Sequence, residues 1–269
     1  MRVADVFLAS CVKNRYPDFY ASISQICESL GIVIQLFESE NPWIRDYFPV
    51  QIEFNYLRFG YNPFYHRVKR YREPLPLLQS NSLFKWPLTK SDLPIDGGAV
   101  IYDPFKKIFF ISSTFYNPEL SKILQSFHVK CVQITPDPMD FTRHLDGLYR
   151  IINNCVLYSS YLDQLKPNLH LVNKTIFQNL GYHFCPVPDI ALDDNSDYFK
   201  GTYLNFLIVN EFVLLPRSKP LWARPSDVYA LEVKVEVFFL KHFGLIPKWV
   251  DCDTPMDDGG AIHCLTWES

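Results

Sequence analysis

The sequence predicts an α/β ring of five repeated units, and three observations predict it. Polar turns recur at Asp46, Asp96, Asp146, Asn205 and Asp258, which fall 50, 50, 59 and 53 residues apart. Two of those turns share a motif, Asp96-Gly97-Gly98-Ala99-Val100-Ile101 and Asp258-Gly259-Gly260-Ala261-Ile262. Each turn leads into the pattern strand, turn, strand, helix, strand. A repeated supersecondary unit cannot bury its apolar face alone, so such units stack or close, and in a closed ring the equivalent turns point at one axis. The expected fold is therefore α/β, with five ββαβ modules around a central site and residues 1–269 forming one domain.

Residues 3–10 alternate like a buried strand, and Phe19 to Leu30 carries apolar residues at helical spacing until Gly31 stops it. Gly31 to Phe37 is a second strand, and the Pro-punctuated turn Asn41 to Val50 leads into a strand from Val50 to Phe54. Tyr61 to Pro94, rich in Pro, Arg, Tyr and Ser, reads as loops around a short helix. Val100 to Tyr102 and Lys107 to Ile111 form a hairpin, followed by a helix from Pro118 to Phe127 and a strand from Val129 to Ile134. Strands are expected at Leu148 to Ile152 and Cys155 to Ser159, a helix at Asn173 to Leu180, and a strand at Tyr182 to Val187. After an acidic loop from Asp189 to Asp197, the last unit has strands at Phe206 to Val209 and Glu211 to Leu215. A helix from Asp227 to His242 and a strand at Pro247 to Val250 complete it.

Composition narrows the function. A formal charge of -3, with no clustered Lys and Arg, argues against a nucleic-acid partner. No apolar run approaches the length of a membrane span, and the N-terminal run Val3 to Ser10, broken by Asp5, is too short for a signal segment. The seven cysteines are unevenly spaced without a CxxC pair, so reduced thiols in a cytoplasmic protein are expected. His144, Asp146, His263 and Cys264 do not have a common metal-ligand spacing, and neither metal nor cofactor is expected.

Cys264 is the candidate nucleophile. It follows a Gly-Gly turn and an apolar step that can enter a sheet, which would hold the thiol at a strand end. A cysteine in a strand is more often core than catalyst, and Cys11, Cys27, Cys131, Cys155, Cys185 and Cys252 keep that reading. Five turns in a ring, however, bring Asp46, Asp96, His144 and Asp146 to Cys264. On an extended strand His144 and Asp146 would share a face. His263 reads as a hydrogen-bonded structural histidine, Asn205 as a turn brace, and Trp43 as a residue that stacks on substrate or packs.

The motifs Trp43-Ile44-Arg45-Asp46, Asp96-Gly97-Gly98, His144-Leu145-Asp146, Thr202-Tyr203-Leu204-Asn205-Phe206 and Gly259-Gly260-Ala261-Ile262-His263-Cys264 occur in the order and rough spacing of a known family. In these the chain resembles the agmatine deiminases and bacterial peptidyl-arginine deiminases, and it departs by carrying Asp96 where they usually have Glu. The resemblance implies a five-bladed α/β propeller of the pentein type, and a guanidino-modifying enzyme acting on a small guanidino substrate. It assigns Asp46 and Asp146 to bidentate capture of the guanidinium, Asp96 to orienting His144, and Cys264 to attack on the central carbon. His144 suits the acid/base role that departing ammonia and attacking water require. Agmatine-like deimination is the first expectation. Amidino transfer on the same fold and a catalytically silent binding protein are the alternatives, with a homodimer as the assembly to test.

Overall fold

The computed structural model describes residues 5–61, 85–138, 140, 142–189, 203–219 and 224–268. Fifteen strands form five three-stranded sheets among these residues. In chain order they are β1 Asp5–Ala9, β2 Val33–Phe37, β3 Val50–Ile52, β4 Asn55–Gly60, β5 Leu88–Pro94, β6 Val100–Asp103, β7 Ile108–Ser112, β8 Lys130–Ile134, β9 Tyr149–Ile152, β10 Cys155–Ser159, β11 His183–Val187, β12 Leu207–Val209, β13 Phe212–Arg217, β14 Ile246–Asp251 and β15 Trp267–Glu268. The sheets are β15-β1-β2, β3-β4-β5, β6-β7-β8, β9-β10-β11 and β12-β13-β14. Every sheet repeats one plan: the first strand pairs antiparallel with the middle one, and the third pairs parallel to it. A parallel pair needs a crossover, and helices Pro17–Ser29, Pro118–Ser126, Pro167–Asn179 and Pro225–Phe243 supply it in four modules. Each of these helices opens on a proline, whose missing N–H costs nothing at that position.

The first module is completed by the last strand. Val6 and Phe7 pair with Glu268 and Trp267, so the two ends of the chain meet in one sheet and close the ring. Five apolar clusters then join neighbouring modules. Phe7, Phe37 and Trp267 pack on Ile44, Phe48 and Tyr56 between the first and second; Leu57 and Phe59 meet Phe109 and Ile111 between the second and third. Phe110 and Ile134 meet Tyr149 and Phe177 between the third and fourth; Leu157 and Val187 meet Phe206 and Leu215 between the fourth and fifth. Val6, Leu8 and Phe19 meet Leu207, Leu214 and Val250 across the seam. Strand alternation produces this directly. Phe109 and Ile111 of β7 face one neighbour while Phe110 faces the other, so the strand is buried on both sides.

The element expectations hold with local corrections. Leu88–Pro94 is a strand inside the stretch read as loops, because it pairs parallel with β4; its polar composition hid the pattern. The short helix expected near it, and most of the acidic loop from Asp189, lie outside the described residues. The helix expected from Asn173 begins at Pro167, since its first turns expose Leu171 and Val172 and so break the apolar period. One expectation about cysteines is overturned. Cys155 and Cys185 are joined in a disulfide across the paired strands β10 and β11, and their sequence separation of 30 left no signal in the spacing. Among the described residues no helix is long and apolar enough to cross a membrane.

Candidate active site

The five polar turns form a closed chain of contacts around the ring axis. Asp46 sits in the one-turn helix Ile44–Tyr47 and accepts the Gly98 N–H at 3.1 Å. The Gly98 carbonyl accepts from the N–H groups of Leu145 and Asp146 at 2.8 and 3.2 Å. Asp146 Oδ2 meets His263 Nδ1 at 2.6 Å, and the His263 N–H donates to the Asn205 carbonyl at 3.2 Å. Arg45 Nε then donates to the His263 carbonyl at 3.3 Å and its guanidinium pairs with Glu268, which returns the chain of contacts to the first turn.

Three glycines are required by close approach, and a Cβ on Gly97 would collide with the Arg45 carbonyl oxygen. A Cβ on Gly98 would lie 2.4 Å from His144 Nδ1, and one on Gly260 would lie 2.4 Å from the Trp43 ring. The shared Asp-Gly-Gly motif therefore does two different jobs. In the second turn it makes room for the imidazole. In the fifth it seats the cysteine turn on Trp43, which is buried in the core with Ala261 and Ile262.

Cys264 lies in the one-turn helix Ile262–Leu265, and β15 begins after it. This corrects the expected strand end: Gly259 has φ +92°, and the chain winds one turn before it pairs with β1. Cys264 is partly exposed while Ile262, His263 and Leu265 are buried. Asn205 holds it from two sides, donating from Nδ2 to Sγ at 3.0 Å and accepting the Cys264 N–H at 3.2 Å. Burial raises the thiol pKa, and the charges of Asp146 and Asp46 raise it further, against the lowering effect of the Asn205 hydrogen bond.

His144 is buried, with Nε2 at 3.6 Å from Asp96 Oδ2 and Nδ1 at 4.0 Å from Asp46 Oδ1. The Asp96 distance is that of an ion pair, beyond hydrogen-bond length. Burial works against the imidazolium, but Asp46, Asp96 and Asp146 together outweigh it and push the pKa up to about 10. The expected extended strand at His144 and Asp146 is not found. Leu148 and Tyr149 donate their N–H groups to the Leu145 carbonyl, a turn that sends the two side chains to different partners. Asp146 is held below the usual carboxylate range: burial opposes ionisation, and the hydrogen bond from His263, with the charges of His144 and Arg150, overcomes it. Burial drives the His263 pKa well down, and Arg150 and Arg45 drive it further, so a neutral ring donates Nδ1–H to the carboxylate.

The structure thus brings Asp46, Asp96, His144 and Asp146 into one buried cluster, and Asp46 and Asp146 act on both His144 and the Cys264 thiol. Trp43 packs beneath the Cys264 turn. Tyr47 and Phe48, bulky residues beside Asp46, turn into the core between the first two modules, where Tyr47 Oη donates to the Asn41 carbonyl at 2.9 Å. Sequence reasoning missed the contact of Asn205 with the thiol and the clamp of Arg45. The Thr-Tyr-Leu-Asn-Phe and Trp-Ile-Arg-Asp motifs contained both residues, but neither their spacing nor their type indicates a partner across the ring. Among the described residues no group of three or more His, Cys, Asp or Glu is arranged to hold a metal ion.

A ring of five three-stranded modules, with a cysteine, a histidine and carboxylates gathered at its axis, defines a pentein-type α/β fold. The chain belongs to the Porphyromonas-type peptidyl-arginine deiminase family, whose pattern matches residues 8–269. Solved structures agree in fold. The agmatine deiminase of C. jejuni is 14% identical with a TM-score of 0.71, covering 99% of this chain and 93% of that one. The agmatine deiminase of Enterococcus faecalis is 17% identical with a TM-score of 0.65, covering 100% and 93%. DDAH from Pseudomonas aeruginosa is 12% identical with a TM-score of 0.65, covering the whole of both chains. No curated protein sequence matches the chain.

Proposed function

We propose that this protein is a cysteine-dependent hydrolase that deiminates a small guanidino compound, agmatine-like in its head group, to a ureido product and ammonia through an adduct on Cys264. The observation that carries this reading is the charge balance of the site. Asp46, Asp96 and Asp146 are all buried at the site of the partly exposed Cys264, and Asp146 and Asp46 oppose ionisation of its thiol. Such a site is completed by a cation. A guanidinium between Asp46 and Asp146 offsets the charges that hold the thiol protonated, so substrate binding itself favours the thiolate.

The thiolate then attacks the central guanidino carbon. A proton from His144 allows ammonia to leave, which gives a thiouronium adduct on Cys264. His144, now neutral, takes a proton from water as the water adds to the adduct carbon, and collapse returns the thiol and releases the ureido product. Asp96 keeps the imidazole charged in the resting protein, and Asn205 stabilises the sulfur during attack. The family and the deiminase names of structural neighbours support the same head-group chemistry.

The test is ammonia release from agmatine, free arginine and a peptidyl-arginine. One of them yields equal amounts of ammonia and ureido product, and Cys264→Ala yields neither while keeping its fold. Product that forms only when an acceptor amine is supplied would mean amidino transfer. The absence of turnover with every guanidino compound would leave a binding protein.

A further inference from the structure

A cavity of about 360 Å³ lies at the ring axis. Residues of the inner strands β3, β6, β9 and β15 line it together with Arg45, Gly97, Asp146 and His263 of the turns, but neither Cys264, His144 nor Asp96 does. Each carboxylate on its wall has a partner already. Asp146 is held by His263, Glu268 by Arg45, and Glu53 by Lys107 at 2.6 Å.

Arg150 is different. Among the described residues it has no oppositely charged group within ion-pair distance, and its Nη1 is buried without a hydrogen-bond partner. Its guanidinium lies 4.8 Å from the centre of the Phe206 ring, which compensates weakly compared with an anion. A second buried polar atom on the same cavity wall, Tyr102 Oη, also lacks a partner. Buried polar groups are nearly always satisfied; the charges of Asp146 and Glu268 act on Arg150 from beyond ion-pair distance and leave its Nη1 without a hydrogen bond. Apolar residues, including Val100, Ile101, Ile151 and Trp267, complete the wall.

We infer that this axial cavity is a second binding site, for a small aliphatic carboxylate, with Arg150 as its anchor and Tyr102 as a further donor. The fork of Arg150 suits the planar carboxylate, and the apolar wall suits a short hydrocarbon body. The site shares Asp146 with the turn cluster and excludes Cys264, His144 and Asp96.

A trifluoromethyl-labelled butyrate followed by fluorine NMR tests this on the full-length protein. The site predicts saturable binding that butyrate displaces and butanol does not, and that Cys264→Ala leaves unchanged. Arg150→Gln weakens it by about tenfold or more, the scale of a lost charge-assisted pair, and Tyr102→Phe weakens it to a lesser degree. Should Arg150→Gln fail to fold, Ile101→Phe decides, since it fills the cavity and leaves the charge in place; it is expected to abolish binding. Absence of saturable binding, displacement by butanol as readily as by butyrate, or undiminished binding in Arg150→Gln or Ile101→Phe overturns the inference.

Discussion

His144 is a buried imidazole among three carboxylates, and its protonation couples the site to the stability of the fold. An unperturbed histidine titrates near pH 6.5, whereas Asp46, Asp96 and Asp146 push His144 up to about 10. The folded-state pKa is raised, so the stabilisation is complete below about pH 6.5 and is lost as pH rises through about 10. Denaturant midpoints of the wild-type protein are therefore expected to fall more steeply between about pH 7 and 10 than those of His144→Gln. Equal slopes would place the imidazole outside the carboxylate cluster. Asn205 makes the other sharp prediction at this scale. Asn205→Ala removes a hydrogen bond to the sulfur, a loss of about 1.5–3 kcal/mol once the sulfur is charged, or roughly ten- to a hundredfold in rate. Alkylation of Cys264 by iodoacetamide should also shift to higher pH in that variant. Sequence alone made Cys264, His144 and the three aspartates legible as candidates, because their turns recur every 50 to 59 residues. The partner of Asn205 was not legible, since the contact joins residues 59 positions apart.

At the scale of the element, the second turn is the tightest junction of the site. Gly97–Ala99 is a single 3-10 turn whose Gly98 donates to Asp46, accepts from Leu145 and Asp146, and lies under the His144 ring. Gly98→Ala places a methyl carbon 2.4 Å from His144 Nδ1, which forces the imidazole to move. The expected result is a loss of kcat exceeding any change in KM, with an overpacking cost of about 1–3 kcal/mol measured by chemical denaturation. Unchanged kinetics would mean that the ring has slack that this packing does not provide. The glycine pairs were visible in the sequence as an echo between the second and fifth turns. Their separate roles were not, because one faces an imidazole and the other an indole, both contributed by other turns. The strand expected at Cys264 failed for a related reason: β15 has two residues, and the turn before it must wind to reach β1.

At the scale of the whole molecule, the ring closes through Trp267 and Glu268. Trp267 is 2% exposed, packs on Phe7, Phe48 and Tyr56, and donates Nε1–H to the Pro49 carbonyl at 2.9 Å. Trp267→Ala is expected to cost about 3–5 kcal/mol, the range for truncating a buried aromatic. Because Cys264 lies three positions away, activity should be lost before the fold is, which denaturation followed alongside turnover would reveal. The five-module plan was readable from the repeat interval. The pairing of the chain's two ends was not, because a two-residue strand carries no periodicity. The disulfide between Cys155 and Cys185 was hidden in the same way, since only the parallel pairing of β10 with β11 brings the two residues together.

All three scales lead to the thiol of Cys264, and the proposed chemistry requires that it become covalently bound to the guanidino carbon. Acid quenching during turnover, followed by peptide mass spectrometry, tests this most directly. The account predicts a thiouronium adduct on the Cys264 peptide, gained at the expense of one ammonia from the substrate and absent in Cys264→Ser. An unmodified Cys264 peptide throughout a turnover that releases ammonia would contradict it.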